Sequence, residues 1–188
     1  WIQDFDIDGL RLDVAYCLPE AYLKQLRSLT GRLKPDFVLL GEVLHGDYNR
    51  WMNPEMCHSV TNYECYKGLH SSLNSMNLFE IGHSLARQFG PEPWTLYKGQ
   101  HLLNFLDNHD VERIASILRD PSHLPVAYGL LFAMPGVPAV YYGSEWGILG
   151  RKADGDDALR PALDHPESNR LTTWISRLAQ ARRNSPAL

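Results

Sequence analysis

The sequence predicts an α/β fold built on a parallel sheet. Short apolar runs with strand character alternate along the 188 residues with segments whose apolar side chains recur every three or four positions. A second observation supports this: acidic residues gather just after the apolar runs, and the C-terminal ends of parallel strands are where ligand sites form in both open and barrel-closed sheets.

The elements follow in order. Ile7 to Val14 alternates, placing Leu10, Leu12 and Val14 on one face and Gly9, Arg11 and Asp13 on the other, as in a strand whose polar face meets a site. Glu20 to Leu33 carries Leu23, Leu26, Leu29 and Leu33 at helical spacing, which predicts one buried stripe, and Lys34-Pro35-Asp36 stops that helix. Phe37 to Leu40 is apolar on both faces, as in a strand covered on both sides, and runs into Gly41-Glu42. Ser59 to Tyr63 is a short strand candidate, followed by helices around Tyr66 to Leu73 and Leu78 to Gln88. Leu102 to Leu106 is the next apolar strand. Val111 to Leu118 and Leu124 to Ala133 read as helices, Val137 to Tyr142 as a strand, and Leu171, Trp174, Ile175, Leu178 and Arg182 stripe a last helix. Arg151 to Asp157 is polar, contains Gly155 and reads as a loop. No internal repeat or low-complexity tract interrupts the series.

Composition sets limits on partners. A net charge of −4 and a pI near 6.0, with no run of Lys or Arg, argue against nucleic acid and anionic lipid. No apolar run reaches the roughly 20 residues that span a bilayer. Cys17, Cys57 and Cys65 show no zinc-site spacing and read as free thiols. They fit a reducing compartment, so the expectation leans to the cytoplasm while the location stays open. The chain opens Trp1-Ile2-Gln3, and the expectation is an interior piece of a longer protein.

Three places carry chemistry. Arg11 and Asp13, two apart on a strand, project to one face, where the guanidinium would keep Asp13 ionised as a nucleophile requires. A structural ion pair that only holds the strand end fits these two residues equally. Glu42, at the edge of an apolar strand, suits a general acid if burial raises its pKa, or is a solvated strand end. Two carboxylates in opposite electrostatic settings are the pattern of retaining glycoside hydrolysis. The run Phe105-Leu106-Asp107-Asn108-His109-Asp110 is harder to read as core, because four polar side chains in succession would all need buried partners.

FLDNHD at 105–110 resembles the fourth of the short motifs that mark the alpha-amylase superfamily of glycoside hydrolases. DIDGLRLDVA at 6–15 resembles the second, and LLGEV at 39–43, with His45 after it, the third; they occur in the family's order. Met134 to Glu145 is similar to the segment of the family's last barrel strand, and Arg160-Pro161 to the arginine-proline that follows it. The resemblance spans nearly the whole chain and implies a parallel (β/α) TIM barrel, of which residues 1–188 hold about the second half, the fourth to eighth strands. It implies cleavage of α-1,4-glucosidic bonds in maltodextrins or starch-type glucans, with Asp13 as nucleophile, Glu42 as acid/base and Asp110 as the third carboxylate, gripping sugar hydroxyls. Arg11 would orient Asp13, and His109 and His45 would contact substrate. Tyr63 is an aromatic candidate beside the glucan, a packing tyrosine otherwise. Arg113 would touch the acid cluster or substrate, or be a solvated or ion-paired helix residue. Trp51, Trp94 and Trp146 are candidates for sugar stacking or for simple packing.

The chain departs from the family in lacking the first motif, the small inserted domain and the C-terminal β domain. The first motif supplies a sugar-binding histidine and an Asn ligand for the calcium of many relatives, so no metal and no cofactor are expected here. The same residues also suit a transglycosylase, and a non-catalytic glucan- or partner-binding member is the reading from a different class. Half a barrel leaves two strand edges open, which predicts self-association and little activity in isolation.

Overall fold

A computed structural model describes residues 1–166 and 168–186. The chain begins with a single helical turn absent from the sequence reading, α1 (Ile2–Phe5), where the Trp1 and Phe5 rings lie 5.4 Å apart. Among the described residues five strands follow: β1 (Gly9–Leu12), β2 (Val38–Gly41), β3 (Ser59–Val60), β4 (Leu103–Phe105) and β5 (Val137–Ala139). The helices are α2 (Glu20–Leu33), α3 (Tyr63–Ser75), α4 (Phe79–Phe89), α5 (Ile114–Ile117), α6 (Leu124–Ala133), α7 (Asp156–Leu159) and α8 (Arg170–Arg183).

All strand pairs are parallel. β2 sits between β1 and β3, and β4 pairs with β5. A parallel bridge from Thr61 to Leu103, reinforced by the Asn62 amide donating to the Leu103 carbonyl at 2.9 Å, joins the two groups. The spatial order therefore follows the chain order with no reversal. A doubly wound open sheet reverses at its switch point, whereas a barrel does not, so the five strands form an arc of a barrel wall.

An arc has a covered outside and an open inside, and this corrects one expectation. Phe37 and Leu39 are fully buried, but Val38 is 47% exposed and Leu40 only half-buried. The strand predicted to be covered on both faces is covered on one, because five strands cannot close over their own inner face. Helix α2 also differs from its predicted stripe. It buries Leu23 and Thr30 and half-buries Leu26, while Leu29 and Leu33 stay exposed, since none of the described elements covers their side.

Four strands are shorter than their apolar runs, β4 by one residue at each end. β1 stops at Leu12 because Val14 takes a left-handed backbone (φ 45°). β3 stops at Val60 because Asn62 caps α3, its side chain accepting the Cys65 amide at 3.2 Å, which makes Tyr63 a helix residue rather than a strand residue. β5 ends at Ala139. The helix expected from Val111 shrinks to α5, because Arg113 is extended and the Asp107 carboxylate accepts the Ile114 amide at 2.8 Å.

The helices are tied to the sheet by two apolar cores and one polar knot. One core joins α3, α4, α6 and α8 through Leu69, Ile81, Leu131 and Ile175, and the other gathers Leu23, Val43, Tyr48, Met52 and Leu102 behind β1 and β2. Between them Asn62, Gln88 and Asn104 are wholly buried. Asn62 Nδ2 donates to both Gln88 Oε1 and Asn104 Oδ1 at 2.8 Å, and Asn104 Nδ2 donates to the Pro135 carbonyl at 2.7 Å. The knot fixes the ends of β3 and β4 relative to each other, since each polar atom there is costly to leave unpaired. Among the described residues no helix is long and apolar enough to cross a membrane.

Candidate active site

The residues after β1, β2 and β4 form one cluster at the C-terminal ends of the strands. Arg11 is its hub. From β1 it pairs through Nη1 with Asp13 and through Nη2 with Glu42 Oε1 at 2.9 Å. One guanidinium thus draws together the two carboxylates, its planar fork being suited to two acceptors at once. Asp13 projects into the open, with 70% of its side chain exposed, whereas only 7% of Glu42 is.

Glu42 is buried but not orphaned. Besides Arg11 it accepts the Val14 amide on Oε2 at 3.1 Å and the Tyr63 hydroxyl on Oε1 at 3.4 Å. Gly41 before it leaves little room for a side chain: a Cβ there would meet Cys57 Sγ at 3.0 Å and Ala15 Cβ at 3.1 Å. The strand end is therefore drawn tightly against its neighbours, which places Glu42 within reach of β1.

Tyr63, at the start of α3, links Glu42 to the β4 end. Its hydroxyl accepts Asn108 Nδ2 at 3.0 Å, and its ring meets Phe105 edge-on at 4.9 Å. Burial pushes the phenol up to about 12, with the hydrogen bond from Asn108 opposing and the charge of Glu42 adding, so Tyr63 remains a donor through the neutral range. Asn108 Oδ1 in turn accepts the Asp110 amide at 2.8 Å. A continuous polar path therefore runs Asp13, Arg11, Glu42, Tyr63, Asn108, Asp110.

Asp110 is held from two sides. His109 Nε2 lies 3.0 Å from its Oδ2, and Arg160 Nη2 lies 2.9 Å from its Oδ1 while Arg160 Nε donates to the His109 carbonyl at 3.0 Å. Lys152 Nζ reaches the Asp110 carbonyl at 3.3 Å. The polar segment after β5 thus closes onto the third carboxylate. A cavity of about 180 Å³ opens beside this cluster, lined by Arg11, Leu40, Phe105, Asn108, His109 and Tyr141 among others.

Other candidates fall in different places. His45 is exposed on the loop after β2, its ring 5.8 Å from that of Tyr16. Trp51 is buried in the core behind β2, Trp146 is half-buried, and Trp94 lies exposed on the connection entering β4, at the opposite end of the strands.

Arg113 is wholly buried, which rules out a solvated helix position and sets it beside Asp107 of the acid cluster: Nη1 donates to the Tyr142 carbonyl at 2.6 Å and to Ser144 Oγ at 2.9 Å, and Nη2 to the Leu159 carbonyl at 2.7 Å. Its guanidinium also lies 4.1 Å from the Tyr141 ring centroid. Asp107 belongs to the same knot, accepting Ser144 Oγ at 2.7 Å, and burial raises its pKa against the opposing effect of the Ile114 amide, Ser144 and Arg113. So the polar run after β4 divides: Asp107 turns inward with Arg113 to lock β4, β5 and α7 together, and Asn108, His109 and Asp110 turn to the cluster.

Sequence reasoning gave no role to Asn108, Lys152 or Tyr141, and noted Arg160 only within a motif. Asn108 was visible inside its polar run. Arg160 lies 50 residues from Asp110, and no local pattern joins them. Among the described residues no group of three or more His, Cys, Asp or Glu side chains gathers as a metal site would.

Comparison with known proteins matches residues 1–177 to the alpha amylase catalytic domain family. A maltogenic alpha-amylase of Bacillus acidopullulyticus is 29% identical over the whole chain, which covers 32% of that protein. Neopullulanase 2 of Thermoactinomyces vulgaris is 32% identical over 90% of the chain and 29% of its own length. Among solved structures, the ligand-free cyclic alpha-maltosyl-(1→6)-maltose hydrolase of Arthrobacter globiformis superposes with a TM-score of 0.81 at 26% identity, covering 96% of this chain and 41% of that one. The chain thus spans about a third of the length of the curated relatives it matches. The strand winding, the carboxylate cluster at the strand ends and the match over nearly all residues agree: the chain belongs to the alpha-amylase superfamily of glycoside hydrolases and carries part of its catalytic domain.

Proposed function

We propose that this chain supplies the catalytic carboxylates of a retaining glycoside hydrolase that cleaves α-1,4-glucosidic bonds in maltodextrins. The observation that carries this reading is the polar path linking Asp13, Glu42 and Asp110 across the ends of three parallel strands. Similarity to proteins named maltogenic alpha-amylase, neopullulanase 2 and cyclic alpha-maltosyl-(1→6)-maltose hydrolase supports an α-glucan as the substrate class.

In this mechanism the exposed Asp13 carboxylate attacks the anomeric carbon as Glu42 gives its proton to the departing glycosidic oxygen, leaving a glucosyl ester on Asp13. Glu42, now ionised, takes a proton from water as that water attacks the ester and frees Asp13. Asp110, fixed by Arg160 and His109, accepts hydrogen bonds from sugar hydroxyls where the ring flattens, and His109 and His45 hold the sugars on either side. Proton transfer and covalent chemistry both reside in carboxylates, so the reaction requires no cofactor.

The five strands correspond, in this reading, to the fourth through eighth of the barrel, and the remaining wall comes from a segment outside these 188 residues. Without it the edges of β1 and β5 invite pairing with a second copy of the chain. Maltotriose tests the function when it is given to the full-length protein that carries this chain. Glucose plus maltose is the expected outcome, accumulation of longer oligosaccharides means transfer to a sugar acceptor, and absence of turnover means a non-catalytic member.

A further inference from the structure

We propose that Val14 is a positioning residue for Glu42: its left-handed backbone takes its own amide out of the strand ladder and aims it at the Glu42 carboxylate. The inference rests on Glu42 as the acid/base and deepens that reading.

The register shows the displacement. Gly9 to Leu12 pair one for one with Val38 to Gly41, and the Glu42 amide continues the ladder by donating to the Leu12 carbonyl at 2.9 Å. In a regular parallel pair the next bond runs from the Val14 amide to the Glu42 carbonyl. Instead the Ala15 amide makes that bond, at 2.9 Å, and the Val14 amide lies 3.1 Å from Glu42 Oε2. One extra residue has been fitted into β1, as in a bulge, a device that re-aims groups beside sites.

The conformation is not one valine favours. At φ 45° and ψ 44° a β-branched side chain is a genuine outlier, and sequences normally place Gly, Asn or Asp there. It persists because both neighbours are fixed. Arg11 grips Asp13 on one side, and on the other Ala15 is fully buried, packed where Gly41 leaves space for its Cβ. Between these two anchors the surplus residue can be absorbed only at Val14, and the amide it releases finds the one buried carboxylate nearby.

The test replaces the Val14 amide by an ester, through the α-hydroxy analogue of valine, in the enzyme that carries this chain. The N–H disappears and the side chain stays. The expected result is a fall of about tenfold in kcat with KM little changed, and a shift of the acid/base limb of the pH profile to higher pH, because a carboxylate that loses a donor holds its proton longer. The same replacement at Ala15 removes a ladder bond without touching the Glu42 side chain, and should lower the melting temperature while leaving that limb in place. Equal limbs in the two esters, or a Val14 ester with the parent's profile, overturn the inference. Glu42→Gln separates the two levels: full activity there removes the reading of Glu42 itself, whereas inactivity there with a silent Val14 ester removes only the role of Val14.

Discussion

Glu42→Gln lowers kcat on maltodextrins by about 10²–10⁴, the range that a positioned proton donor and acceptor supplies. The size of the loss should depend on the leaving group. With a maltosyl fluoride, whose fluoride leaves without needing a proton, the first step survives and the maltosyl ester on Asp13 accumulates, because the second step still requires a base to activate water. Added azide, a nucleophile that needs no base, then restores turnover. Asp13→Asn behaves otherwise: it removes the attacking atom, so both substrates fail and azide does nothing for the retaining product. Kinetics on the two substrates, with and without azide, check this. A Glu42→Gln enzyme equally slow on both, with no burst, would assign the acid/base elsewhere. Glu42 is buried and receives Arg11, the Val14 amide and the Tyr63 hydroxyl, three contacts that hold its carboxylate in place.

Arg113→Met carries the largest expected loss of stability, about 3–5 kcal/mol, the usual consequence of removing one member of a buried charged group and stranding the rest. The substitution keeps much of the side-chain volume but leaves the Tyr142 and Leu159 carbonyls without their donor and Asp107 without its nearby positive charge. Urea unfolding of parent and variant measures the difference. Asp107→Asn in the same background should cost less than it does alone, because the two residues share one network. Arg160→Met provides the contrast. Its side chain is 44% exposed, so stability changes by no more than about 1 kcal/mol, while activity falls through the loosened Asp110. Were the Arg113 variant as stable as the parent, the knot that joins β4, β5 and α7 would not be what holds the site together.

The winding of the fold was legible because each strand contributes an apolar run and each helix a periodic one, and both signals are local. Asp13, Glu42 and the Asp107 to Asp110 run each stand where an apolar run stops, and it is the family resemblance that singles out Asp110 within the last. What escaped the sequence was set by distance or by an inner face that the described strands leave open. Val38 reads as a buried residue in its run but faces an inner surface that five strands cannot cover. Arg113 looks like a candidate ligand because it lies near Asp110 in sequence, yet its partners Tyr142, Ser144 and Leu159 are 29 to 46 residues away and enclose it completely. Tyr63 was read as a strand residue because Val60 and Thr61 precede it, and the Asn62 cap that turns it toward Glu42 is visible only once α3 has formed. Val14 fits the strand alternation perfectly by type, and nothing in its identity announces a left-handed backbone.

The central claim is that Asp13 becomes covalently glycosylated. A 2-deoxy-2-fluoro or 5-fluoro maltosyl fluoride slows breakdown of such an ester enough for mass spectrometry of the digested protein. A glycosyl adduct on the peptide that contains Asp13, with product released from the parent enzyme in the α configuration of its substrate, is the predicted result. An adduct on a different carboxylate, or an inverted product with no adduct at all, would contradict it.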